Sequence, residues 1–429
     1  MSKALRCFAS LIVISAVATA CSADSESNEQ SDRVVRVFGV YRGAEAEGFR
    51  RVLARFTEET GIATSYVGTA AFAQRIRERV RDGDPPDVAL FPQPAILVEM
   101  ARAGVLTPLE GQLGATVRDG YSPDVAELAT VDGTLYGAWF RLSLKSLVWY
   151  PPQVFADHGY QIPATWDELL LLTTQMRLDG FTPWCLGMEA FDATGWVGTD
   201  WIENIVLRLH GPEVYDQWTA GEIPFTDPRI HQAFTLFGEI ALSPGQVAGG
   251  TRSILTVPAF RAIDPMFDNP PGCLLTRQAS SQVAELPSGI SIGQAGDVDV
   301  FVLPPIHDEE APLLAAGEVA AAFSTSDEAL ALVSYLADPR SGEPWARLGG
   351  YNSPHKDFDI TTHGNQFEVQ LAELVEQANV VRFDGSDLMA VTVGTGTFWQ
   401  GMIDYVAGLD LDSVLINIQR GYGPLPPER

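Results

Sequence analysis

Between residues 34 and 91 the chain changes its hydrophobic period four times, and that alternation limits it to few folds. Residues 34–40 (VVRVFGV) are rich in β-branched side chains and predict a strand. From Gly43 the apolar residues Phe49, Val52, Leu53 and Phe56 recur at i, i+3, i+4 and i+7, the face of one helix, which Thr60-Gly61 should stop. Residues 63–68 read as a second strand. Residues 72–82 read as a second amphipathic helix, broken by Asp84-Pro85-Pro86, and residues 87–91 as a third strand. Strands separated by helices need crossover connections, so a parallel sheet follows. Ligands in such sheets sit beyond the C-terminal strand ends, which fall here at Gly39 to Gly43, Gly68-Thr69 and Phe91-Pro92-Gln93-Pro94.

The remaining elements are less regular. Residues 133–150 (GTLYGAWFRLSLKSLVWY) form an extended, aromatic-rich run able to pass from one lobe to another. Thr165-Trp166-Asp167-Glu168 is a capping box opening a Leu-rich helix that ends at Gly180. Residues 183–200 read as a loop, with a further helix from Trp201. Residues 245–300 are irregular and rich in Pro, Gly and Ser. A strand at 298–303 and a helix at 327–336 follow, then a helix, a loop at 383–387 and a last helical run from Thr397.

The N-terminus differs from everything after it. Lys3 and Arg6 precede an apolar stretch, residues 8–18 (FASLIVISAVA), of signal-peptide length and short of the roughly 20 residues a spanning helix needs. It ends in Ala18-Thr19-Ala20-Cys21, which resembles the lipobox of bacterial lipoproteins with Ala18 in place of the usual Leu. Residues 1–20 are therefore read as a signal peptide and Cys21 as the lipidation site; plain cleavage after Ala20, leaving a free thiol, is the alternative. Residues 21–33 hold no large apolar side chain and read as a flexible tether. About 400 residues remain, more than one core usually serves, so two lobes are expected. The formal charge of −27 opposes nucleic acid as a partner through phosphate repulsion. Processing would remove Cys7 and acylate Cys21, leaving Cys185 and Cys273 as a pair in an oxidising compartment, where a disulfide is the expected state.

Enzyme signatures fail on context. Gly289-Ile290-Ser291-Ile292-Gly293 matches G-x-S-x-G, but a nucleophile elbow needs a helix next and a strand follows. Gly394-Thr395-Gly396 lacks the third glycine of a dinucleotide loop. The six histidines show no metal-ligand spacing. No catalytic residue, metal or cofactor is assigned. Aromatic placement is more informative: Trp184, Trp196 and Trp201 fall in and beside a Gly/Thr-rich stretch interleaved with Asp192 and Asp200. Sugars present apolar C–H faces and rings of hydroxyls, and flat aromatics beside carboxylates suit both. Trp166 and Trp345 lie on helical segments and read as packing residues.

Several segments carry a chain-long resemblance. TEETGIATSYVGTAAF, GDPPDVALFPQPAILVEMARAGVLTPL, GTLYGAWFRLSLKSLVWYPPQVF and ATWDELL resemble the family 1 extracellular solute-binding proteins of ABC importers. TPWCLGMEAFDATGWVGTDWIENIVLR, GEIPFTDPR and RFDGSDLMAVTVGTGTFWQGMIDYVAG are similar to its alpha-glucoside or oligosaccharide-binding branch, with Met389-Ala390 where that branch has Met-Pro. The resemblance implies a two-lobed, periplasmic-binding-protein-like α/β fold (type II) with mixed sheets flanked by helices and lobes joined by hinge strands. Lobe one would comprise 34–142 and 313–352, lobe two 143–312 and 353–429. It implies a non-catalytic, monomeric sugar-binding component, membrane-anchored through its N-terminal lipid, that delivers ligand to ABC permease subunits. Glu45, Pro92 and Gln93 would face the cleft from lobe one, and Trp196, Asp200 and Trp201 from lobe two. Gly350-Tyr351 would match a turn near the hinge, and Asp384 and Asp387 a carboxylate-bearing loop. A ligand-loaded sensor docking on a membrane receptor and an extracellular glycoside hydrolase are the competing readings.

Overall fold

The computed structural model describes residues 34–307 and 311–423; the leader, the tether and Cys21 lie outside them. β1 (Val35–Gly39) runs into α1 (Gly43–Thr60), which ends at Gly61 in the left-handed conformation (φ 75°). Phe49, Val52 and Phe56 of α1 are fully buried, each worth about 1.5–3 kcal/mol relative to exposure. β2 (Thr64–Gly68), α2 (Phe72–Arg81), β3 (Val88–Phe91) and α3 (Pro94–Arg102) follow. β1 pairs in parallel with both β2 and β3, as the sequence period requires.

Strand Leu313–Ala322 was not foreseen, and it is the longest in the sheet. Its sequence, LLAAGEVAAA, is rich in the best helix-forming residue, so local propensity points the wrong way. Burial decides instead: nine of its ten residues are buried, and small side chains let it sit between neighbours. It pairs antiparallel with β3 and with strand Gly137–Leu144, and in parallel with Val381–Phe383. The sheet is mixed and has six strands. A second, three-stranded sheet places Leu147–Tyr150 between Thr276–Arg277 and Asp299–Val302, all antiparallel.

Two large apolar cores result, one around the six-stranded sheet and one around helices Trp196–Thr219 and Pro228–Ala241, with a third, smaller cluster. That smaller cluster holds the Cys185–Cys273 disulfide (S–S 2.05 Å). Thr165 caps helix Trp166–Leu178 by accepting from the Glu168 amide, while the Glu168 carboxylate accepts from Ala164 N. Trp166, Trp184 and Trp345 are buried packing residues.

The helix expected from Trp201 begins five residues earlier, at Trp196. Gly195 (φ 112°) supplies its left-handed entry, and a Cβ there would lie 2.4 Å from the Trp399 carbonyl oxygen. Residues 197–208 are then buried on every side, so glycine and threonine that suggested a loop are packing positions. Gly394 acts similarly: a Cβ would meet the Ser386 carbonyl at 1.8 Å, so its absence lets the π-helical turn Val393–Phe398 abut the short helix Gly385–Leu388. Ser291, of the G-x-S-x-G match, donates to Asp297 in a local turn, and strand Asp299–Val302 follows.

Candidate binding cleft

The strand ends picked out by the sequence border a cavity of ≈ 380 Å³, at the low end of the roughly 300–1,000 Å³ typical of small-molecule sites. Three groups of side chains line it.

The first belongs to the large sheet. A register shift between strands Gly137–Leu144 and Leu313–Ala322 falls at Glu318/Val319, a bulge that re-aims side chains into the cavity. Arg141 emerges there, buried, 2.7 Å from the Glu45 carboxylate and over the rings of Tyr41 and Trp345. Although burial opposes its charge, Glu45 and Glu318 hold the guanidinium above its usual pKa. Glu318 accepts from the Tyr41 hydroxyl at 2.8 Å. Burial pushes Glu318 up to about 7, against the pull of Arg141.

The second group surrounds Lys145. Its ammonium binds Asp200 (3.0 Å) and Asp384, and Arg277 meets Asp200 from the other side at 2.9 Å. Asp384 also accepts from Ser386 Oγ and Asp387 N. Glu203 accepts from Gly385 N and Ser386 N, both at 3.0 Å, tying the long buried helix to the carboxylate turn. Against burial, Lys145 keeps Asp384 below the usual carboxylate range. Burial and the neighbouring Asp384 push Glu203 and Asp387 well up, and burial pushes Asp200 up to about 6. Asp200, Glu203 and Asp384 bring carboxylate oxygens within 4.8 Å of one another, the spacing of a metal site. Lys145 and Arg277 supply the two cations that balance Asp200 and Asp384, since buried charges persist only when paired, while Glu203 is held by backbone amides.

The third group is aromatic. Trp196 is half-buried, 5.6 Å from the Phe260 ring, with the Lys145 ammonium 5.2 Å from its own ring. Trp399 and Phe191 complete this wall. Three buried polar atoms in lining residues have no partner: Gln93 Oε1, Arg141 Nε and Trp399 Nε1. One acceptor and two donors are thus left unpaired beneath the cavity surface, although most buried polar groups find partners.

The structure brings together Glu45, Pro92, Gln93, Trp196, Asp384 and Asp387 around this cavity. The other expected residues lie behind it. Trp201 is fully buried, edge-on to Trp184 at 5.2 Å with Arg277 over its ring, because the earlier helix start turns it into the core. Asp200 is consumed by Lys145 and Arg277. Gly350 donates its amide to Glu368 (2.6 Å), and Tyr351 donates to the Phe140 carbonyl (2.7 Å), so this turn braces the strand bearing Arg141. Arg141, Lys145 and Glu318 were missed. The available signal was charge inside an otherwise apolar strand: GAWFRLSLK and AAGEVAA each hold an ionisable residue where burial would exclude an unpaired one.

A two-lobed α/β body with a polar, aromatic-walled cleft is the architecture of a solute-binding protein. The sequence profile of the bacterial extracellular solute-binding proteins matches residues 42–254. The chain is 43% identical to the osmoprotective compounds-binding protein GgtB of Synechocystis sp., over 96% of this chain and 98% of GgtB. It is 34% identical to the alpha-glucosides-binding periplasmic protein AglE of Rhizobium meliloti, over 92% and 88% respectively. The solved structure of the bacterial solute receptor AcbH shares the fold, with a TM-score of 0.77 at 17% identity over 90% of this chain and 97% of AcbH. The chain belongs to the bacterial extracellular solute-binding proteins. It therefore works outside the cytoplasm, and among its described residues no helix is long and apolar enough to cross a membrane.

Proposed function

We propose that the protein is the non-catalytic carbohydrate-binding component of an ABC importer, capturing an α-glucoside or short oligosaccharide and delivering it to the permease. One observation carries the reading: the Trp196 face stands in the same cavity as Gln93, Arg141 and the Asp384–Asp387 turn. A sugar needs that combination, an apolar platform for its C–H face and charged or amide groups for its hydroxyls. The two full-length relatives support it, one named for alpha-glucosides and the other for osmoprotective compounds. Lobe one is assigned to 34–142 and 313–352, lobe two to 143–312 and 353–429, with ligand contacts from both sides favouring the closed form. The protein acts as a monomer, held at the membrane by lipid on Cys21 after loss of residues 1–20.

A thermal-shift screen against maltose, trehalose, sucrose, raffinose and common polyols tests the reading, because a ligand of the folded state raises its stability. At least one glycoside should raise the melting temperature and be recovered intact after incubation. No shift with any sugar defeats the carbohydrate assignment, and cleaved sugar defeats the non-catalytic one.

A further inference from the structure

Phe191 combines three properties that rarely coincide. It is 75% exposed, and among the described large apolar side chains only Leu178 is more so. Its backbone sits at φ 54°, a left-handed conformation that is a genuine outlier for a bulky residue. It also lines the cleft on the side of Trp196 and Phe260.

The surrounding turn over-determines this conformation. Phe191 N donates to Glu189 Oε1 at 2.9 Å, and Thr194 Oγ1 accepts from Ala190 N while donating to the Phe191 carbonyl at 2.8 Å. Glu189 is bridged on both sides to the segment carrying Phe260, through Glu189 N to Val257 O and Ala259 N to Glu189 O. The turn is thus fastened to the aromatic wall. Strain held in place by several contacts gathers where function requires it, and an apolar ring in water gains nothing by exposure unless something covers it. Trp196, half-buried, is the inner platform; Phe191 stands at the mouth.

We propose that Phe191 is a specificity-determining residue that covers the outer ring of a ligand whose inner ring lies against Trp196, so that it favours ligands of two rings over one. This rests on the carbohydrate reading above.

Calorimetry tests it with the disaccharide giving the largest thermal shift and with methyl α-D-glucopyranoside as the one-ring probe. Phe191→Ala should weaken the disaccharide by roughly five- to tenfold, the size of one ring contact. The one-ring probe should change by less than about twofold, and Phe191→Trp should restore the disaccharide. Phe191→Gly should bind like the Ala variant but melt above it, because glycine accepts positive φ without strain. Equal disaccharide affinity in wild type and Phe191→Ala overturns the proposal while leaving the carbohydrate reading intact. So does an equal loss for both probes. A wild-type protein that binds no sugar removes both together.

Discussion

At the scale of single residues, the cleft separates side chains that line the cavity from those buried behind it. Trp196→Ala removes the inner platform and should weaken a cognate glycoside by roughly tenfold, about 1.4 kcal/mol, by calorimetry. Unchanged affinity would move the sugar elsewhere in the cavity. Glu318 offers a test through protons. Its folded pKa, about 7, exceeds its ordinary value of 4.5, so between those two pH values the folded chain holds a proton that the unfolded chain has lost. Stability from this group is complete below pH 4.5 and falls as pH rises towards 7. Denaturant unfolding of Glu318→Gln should show a shallower decline across that window than wild type; parallel curves would mean Glu318 does not titrate there. Of the residues that the family resemblance implied, Gln93, Trp196 and Asp384 line the cavity, while Trp201 and Asp200 are fully buried away from it. Two residues of one helix separated by five positions point to different sides, and only the true helix start tells which.

At the scale of elements, strongly periodic segments were legible: β1 to β3, α1, α2 and helix Asp327–Leu336 all lie where the pattern put them. What failed had propensity and burial in conflict. Leu313–Ala322 reads as helix-forming alanine yet forms a strand, since nine of its ten residues are buried and pairing within the sheet overrides local propensity. The disulfide is an element in its own right, closing a separation of 88 residues that encloses helices Trp196–Thr219 and Pro228–Ala241 and the irregular stretch after them. Loop closure of that length is worth about 4–5 kcal/mol in the chain-entropy model. Replacing Cys185 and Cys273 together by Ala should therefore lower the denaturant midpoint markedly while leaving sugar affinity in the surviving folded protein near wild type. An unshifted midpoint would show that local packing alone fixes residues 185–273.

At the scale of the whole molecule, the Lys145 group ties sequence-distant stretches of the chain together at the cleft. Lys145 lies just past the strand carrying Arg141, Asp200 on the long buried helix, and Asp384 on the turn after strand Val381–Phe383. Ligand contacts on both sides should draw the body together, so small-angle scattering should give a smaller radius of gyration with the cognate sugar than without it. At a hundred times Kd the same ligand should add about 2.7 kcal/mol of stability. Stabilisation without compaction would indicate a cleft already shut before binding.

The late strand Leu313–Ala322 has one more consequence, for how such a protein is made. A chain synthesised N-terminus first completes β1, β2 and β3 long before the strand that must pair with β3 has been made. Until more than two hundred further residues arrive, that sheet edge offers unpaired amides to any passing neighbour. Both large apolar cores include residues from this strand or beyond it, so neither is complete until most of the chain is present. The sheet therefore closes late, when Leu313–Ala322 arrives to join β3 to Gly137–Leu144.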